Sequence, residues 1–323
     1  MREGQFIKQN KERWDGYLEQ TEDPDELAKR FTYLVDDLGY AKTHYPFSKI
    51  VKYINGIAAG IYLSIYKNKK EKSNRLVTFF KTELPIILYA NRKVLRFGLL
   101  FFLAFIAIGA FSAWQDPSFL RGILGDGYVN MTEENIAKGD PFGVYKSENE
   151  LIMFLTIAWN NIRVTLMCFT MGICFSVGTL YILFQNGLML GAFEQMFFAH
   201  NLGIKSILVV FIHGTLEISA IILAGGAGMV MGNAILFPRT FPRLESFKRG
   251  AKSGIKILIS LIPVLCVAAF FEGYVTRHTG MPVWLSAIIL AASLTFIVWY
   301  YILYPKRIYK RHPDLAAAFT QKK

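Results

Sequence analysis

The side chains able to do chemistry in this chain gather in one apolar region. His213 and Glu217 stand four apart in His213-Gly214-Thr215-Leu216-Glu217, so on a helix both project from one face. Glu194, in the preceding apolar stretch 187–200, is the expected partner. Three kinds of chemistry suit such a trio. It can be an interhelical hydrogen-bond network that locks a bundle, a site that takes and releases protons or ions, or a transition-metal site with Glu194, His213 and Glu217 as candidate ligands. The network is the ordinary reading, because ionisable groups in apolar surroundings are costly and normally face partners. No metal is named by the spacing, which is not the His-Glu-x-x-His pattern of zinc hydrolases. The chain is expected not to be an enzyme and to carry no cofactor, since no nucleophile is paired with a base at helical spacing. Cys168, Cys174 and Cys266 all lie in apolar stretches without metal-ligand spacing and read as inert buried thiols.

The His213/Glu217 face continues through Ala220, Ile221, Ala224, Gly228 and Gly232, so ionisable and small residues share it. Small residues let a neighbouring helix approach closely, and Gly172, Gly178, Gly187, Gly191, Gly225, Gly228 and Gly232 are read as helix-packing positions. The run Ala224-Gly225-Gly226-Ala227-Gly228 is no phosphate loop, because it lacks a preceding strand and a polar setting. Asn186-Gly187, beside Gln185, predicts a tight turn at the cytoplasmic interface. Asn160, Asn161 and Arg163 form an outer-interface polar group, with Arg163 reaching the headgroups and the asparagines capping or facing water. Glu272 is expected to reach the interface in the same way.

The elements that must position these residues are membrane helices. Of the 323 residues 53% are hydrophobic and only 19% charged, with a mean hydropathy of +0.32 and a net charge of +12. A soluble domain carries about 25% charged residues, so part of the chain requires an apolar medium. The basic residues flank apolar runs and no stacking aromatics interleave them on a soluble platform, which excludes a nucleic-acid partner. Spanning takes about 20 apolar residues, and 94–114, 160–184, 205–232, 254–274 and 283–304 qualify, with 151–159 read as an interfacial helix. The loop 115–150 holds seven Asp/Glu against three Lys/Arg and is rich in Gly and Asn, so it is read as a flexible outer loop for partners. Segment 233–256 holds six Lys/Arg and one Glu, and the tail 305–323 six Lys/Arg and one Asp, which places both inside. With the start of the chain inside too, 187–200 must supply a short crossing.

The expected fold is therefore all-α: a polytopic transmembrane helix bundle of about six crossings, one of them short, with an N-terminal cytoplasmic helical domain. The domains are 1–93, 94–304 and the basic tail 305–323. Residues 1–93 carry 17 Lys/Arg and 12 Asp/Glu, and no cleavable signal peptide is expected. Within them Asp23-Pro24 predicts a helix start, Leu27, Phe31, Leu34 and Leu38 an apolar stripe, 50–66 a second helix and 67–72 a basic turn. Segment 76–93, broken by Pro85, is read as a helix lying on the membrane surface.

Through Asn160-Asn161-Ile162-Arg163-Val164, Gly172, Gly178-Thr179, Asn186-Gly187 with Gly191, His213-Gly214-Thr215-Leu216-Glu217 and Ala224-Gly225-Gly226-Ala227-Gly228, the sequence resembles the bacterial stage II sporulation protein M family. The soluble start resembles the long amino-terminal region of many members through Trp14, Phe31, Asp37-Leu38 and Tyr53-Ile54-Asn55. The resemblance implies a multi-pass protein of the bacterial inner membrane, and the charge pattern predicts both termini in the cytoplasm. The resemblance also implies a non-enzymatic scaffold that recruits or anchors cell-envelope, peptidoglycan-remodelling partners. It carries over that class and not the process of sporulation. Expected partners are the lipid bilayer, membrane or envelope proteins and a further copy of the chain. The alternative is a small transporter or channel working through Glu194, His213 and Glu217.

Overall fold

The computed structural model describes residues 1–19, 21, 23–66, 75–142, 150–276, 281–313 and 315. They are helical, with no strand among them. The chain divides into two compact units, Met1–Asn74 and Arg75–Lys323.

The first unit contains α1 (Glu3–Gly16), α2 (Pro24–His44) and α3 (Lys49–Tyr66). The Asp23 carboxylate accepts from the Asp25 amide at 3.1 Å, and Pro24 needs no amide partner at the first helical position, so α2 starts where the sequence predicts. Phe6, Trp14, Leu34, Ile54, Ile57 and Ile61 form its core. Each such side chain stabilises the fold by about 1.5–3 kcal/mol when fully buried. The fully buried Trp14 donates its indole N–H to Asp37 at 2.7 Å, and Arg13 holds the same carboxylate oxygen at 2.6 Å. The predicted basic turn 67–72 lies outside the described residues.

The second unit opens with α4 (Arg75–Thr78), a π-helical turn Phe79–Glu83 and α5 (Leu84–Ala90). Of 76–93, read as a surface helix, Leu76 and Val77 are exposed, whereas α5 is buried. Leu84, Ile86, Ile87 and Leu88 are all 0–1% exposed. Consecutive apolar residues surround α5 on every side, so it has no wet face and packs among other helices. The structure thus joins 75–93 to the bundle.

There follow α6 (Arg92–Gln115), α7 (Pro117–Leu124), α8 (Asp126–Ala137), α9 (Glu150–Thr170), a 3₁₀ turn Met171–Ile173, α10 (Val177–Ala199) and α11 (Gly203–Leu236). The chain continues through α12 (Arg243–Phe270), the π-helical segment Phe271–Thr276 and α13 (Val283–Ile297). A second π-helical segment, Val298–Leu303, then leads into α14 (Tyr304–Arg311). Among the described residues five helical stretches are long and apolar enough to cross a membrane: Arg92–Gln115, Leu151–Ile173, Gly203–Leu236, Arg243–Thr276 and Val283–Arg311. This is a multi-pass membrane protein in contact with lipid.

The helix boundaries in the middle of the bundle differ from those read in the sequence. The stretch 151–173 is one helical rod, so 151–159 is no separate interfacial helix. It ends at a break where Phe175 and Ser176 take left-handed φ values of 53° and 70°. The expected span 160–184 is cut there. Its second half joins 187–200 in the 23-residue α10, which is about 35 Å long and not a short piece. Asn186-Gly187 is no turn. Asn186 donates its amide to the Ile182 carbonyl at 2.8 Å, which satisfies it inside the helix. The described part of the loop, residues 115–142, is largely helical. Asp116 caps α7 through the Ser118 amide and hydroxyl, both at 2.8 Å, and these bonds hold its carboxyl below the ordinary carboxylate range. Gly125, at φ +84°, turns the chain from α7 into α8. Phe142 stacks on Phe197 with ring centroids 5.3 Å apart, fixing the loop to the end of α10. Residues 143–149 and 316–323 lie outside the described residues.

The bundle closes on backbone contacts. Gly172, at the break, meets the Gly228 backbone of α11. A side chain at Gly228 would begin 2.5 Å from Thr179 Oγ1 and 2.8 Å from the Cys168 carbonyl. On the other side of α10, Gly187 and Gly191 lie on the α6 backbone around Phe102–Ala110. Gly225 faces Leu183 and Gly232 faces Ser176, while Gly178 packs on Met171 just before its own helix. All seven glycines read as packing positions therefore meet other atoms closely. Of the cysteines, Cys168 is buried as expected, Cys266 is partly buried and Cys174 is exposed at the break.

Candidate functional site

Three elements bring polar groups together inside the bundle. α11 presents His213 and Glu217 one turn apart, as their spacing requires. The π-helical segment that ends the α12 rod supplies Glu272 and Thr276. Asn161 comes from α9, which approaches closely because Gly273 leaves room for the Phe154 backbone.

His213 is 3% exposed. Its Nδ1 lies 3.1 Å from Thr276 Oγ1, and the Thr276 hydroxyl donates to the Phe271 carbonyl, also at 3.1 Å. When the Thr276 hydrogen goes to Phe271, its oxygen can accept from a protonated Nδ1, the tautomer that puts the lone pair on Nε2. Nε2 stands 3.9 Å from Glu272 Oε2. The Glu217 and Glu272 carboxyls face each other, and Asn161 donates its side-chain amide to Glu217 Oε1. One ligand-capable atom from each of His213, Glu217 and Glu272 lies within 4.8 Å of the others. Two facing carboxylates cannot satisfy each other as bare acceptors. A proton or a cation must be shared among them.

The expected partner, Glu194, is not in this cluster. Ser206 Oγ donates to Glu194 Oε1 at 3.3 Å, and Glu194 Oε2 is buried without a hydrogen-bond partner among the described residues. The reason is the register of the α10–α11 hairpin, whose turn at 200–202 sets position 194 beside 206. His213 lies seven residues further along α11, about 10 Å away in helix rise. Glu272 replaces Glu194: instead of reaching the interface it points inward, with its side chain 16% exposed. Asn161 is likewise drawn inward, whereas Asn160 and Arg163 are exposed. The spacing of Glu272 and Thr276 was the signal available for this half of the site, since four residues on a helical rod share a face.

A family model described as stage II sporulation protein M matches residues 98–277. The chain belongs to the stage II sporulation protein M family. That match runs from α6 to the end of the π-helical segment and contains every residue of the cluster. A second model, described as a domain of unknown function (DUF8413), matches residues 4–67, the three helices of the first unit. No curated protein and no solved structure matches the chain.

Proposed function

We propose that this stage II sporulation protein M family member is a non-enzymatic scaffold of the bacterial inner membrane that holds cell-envelope, peptidoglycan-remodelling partners. The observation that carries the reading is the closure of the bundle on backbone: Gly172 on Gly228, and Gly187 and Gly191 on α6. Contacts of this kind resist sliding, which suits a frame more than a carrier that must rearrange in each cycle. Two open surface depressions among the described residues, about 380 and 290 Å³, are lined by other residues, among them Lys93, Ser176 and Asn233 in one and Leu76 and Lys81 in the other. Neither includes His213, Glu217 or Glu272. The transport alternative rests on that polar cluster, and it needs a water path to it.

On this reading the basic segments 233–256 and 305–323 lie in the cytoplasm, and α10, though not among the five apolar stretches named above, makes the sixth crossing that puts both termini there. The acidic loop and α7–α8 then face outward as the recruiting surface, and a further copy of the chain is a candidate partner. Photo-crosslinking from position 122, which has open space around it, at native expression tests the reading. Enrichment of peptidoglycan-remodelling enzymes over an unrelated polytopic control is the expected result. A crosslink profile equal to that control's refutes it.

A further inference from the structure

We infer that His213, Glu217 and Glu272 together bind one divalent first-row transition-metal ion inside the bundle. This is independent of the scaffold reading. Three features carry it. The first is the donor set: one imidazole nitrogen and two carboxylates, the mixture of intermediate and hard ligands that suits zinc, manganese or ferrous iron and no soft cation.

The second is ligand orientation. Metal-binding imidazoles normally donate their other N–H to a fixed acceptor, which sets the tautomer and aims the lone pair. Thr276 Oγ1, 3.1 Å from Nδ1, stands where such an acceptor would be, and in the tautomer protonated at Nδ1 it leaves Nε2 for the metal. Asn161 plays the corresponding part for Glu217, donating to Oε1. Both supporting groups come from elements other than α11, so the set is held from three directions.

The third feature is charge. Two carboxylates and a neutral imidazole sum to −2, and a dication brings the site to zero. A proton on each carboxyl does the same without a metal, whereas a single shared proton leaves −1 in an apolar interior, where net charge is expensive. The ligand atoms lie within 4.8 Å of one another. Around an ion with bonds of about 2.1 Å, neighbouring donors stand roughly 3–3.5 Å apart, so the separations close by about 1–2 Å through rotation of the glutamate side chains. Three protein ligands leave a coordination position for water or a partner's side chain.

The test uses the full, untagged chain, produced in metal-depleted medium, placed in lipid nanodiscs and equilibrated with Zn²⁺ or Mn²⁺ alone. Metal content per chain is read by mass spectrometry after removal of free ion. The expected result is about one ion per chain for at least one metal, with occupancy reduced at least tenfold in Glu217→Gln and in Glu272→Gln. Thr276→Val, which removes only the acceptor behind the imidazole, should weaken binding about 10–100-fold. Absence of bound metal in the wild type with both ions overturns the inference, as does undiminished occupancy in Glu272→Gln. If the glutamine variants fail to fold, X-ray absorption of the loaded wild type decides. One nitrogen and the rest oxygen supports the site, while a sulfur-containing or nitrogen-free shell overturns it.

Discussion

Replacing Gly228 by alanine adds one carbon where the structure has no room for it. That carbon would stand 2.5 Å from Thr179 Oγ1, 2.8 Å from the Cys168 carbonyl and 2.9 Å from the Phe169 carbonyl, against 3.4 Å or more in ordinary contact. Two of the three obstacles are backbone, so α9 or α11 must move by about half an ångström or more. The same shift opens the 2.7 Å hydrogen bond from Thr179 to the Cys168 carbonyl. Overpacking costs about 1–3 kcal/mol and the lost bond about 1, offset by roughly 0.5–1 from the better helix propensity of alanine. The net expectation is a loss of about 1–3 kcal/mol. Gly214, on the same helix, is the control, since the nearest atoms to an added carbon are 3.7 and 3.8 Å away on Ile218 and Val210. Gly214→Ala should be neutral or stabilising by up to about 1 kcal/mol. Equilibrium unfolding of both full-length variants in mixed micelles, followed by circular dichroism, measures the difference. Equal stabilities would show that α9 and α11 do not touch at Gly228, and the account of bundle closure would fall with it.

Three further outcomes are expected. In a cysteine-free background Gly122→Cys should react with an impermeant maleimide in intact cells, and labelling only after permeabilisation would reverse the orientation. Glu194→Gln and Glu217→Gln should be additive in stability to within about 0.5 kcal/mol, because the two carboxylates share no partner; a larger coupling energy would place Glu194 back in the cluster. Asp37→Ala leaves the fully buried Trp14 N–H without its acceptor, a cost of about 1–3 kcal/mol, read as faster amide exchange in α1–α3; unchanged protection there would refute the assignment.

What the sequence disclosed and what it hid follow from the range of the interactions. The start of α2 rests on Asp23 and Pro24 within one turn, and the shared face of His213 and Glu217 on helical periodicity alone, so both were legible. Glu272 was not. An ionisable residue near the end of an apolar run reads as an interface residue, and only the packing of three helices turns it toward His213. The break after Met171–Ile173 was hidden for a different reason: its left-handed residues are Phe175 and Ser176, neither of which signals that conformation as a glycine would. Asn186-Gly187 misled in the opposite sense. Its residue types advertise a turn, but the Ile182 carbonyl satisfies the asparagine and the glycine serves the approach of α6.

The 34-residue α11 carries His213 and Glu217 near one end and the Gly228 and Gly232 contacts near the other. Each residue turns the helix by about 100°, so the polar cluster and the glycine seam stay aligned only while the number of residues between them is kept. Inserting or deleting one residue in 218–227 would swing the seam about 100° away from α9 while His213 stayed in place, or the reverse. Substitutions can therefore change either end separately, but length cannot. For anyone grafting or redesigning this bundle, the ten positions between Glu217 and Gly228 act as a fixed-length spacer, whose composition is adjustable and whose count is not.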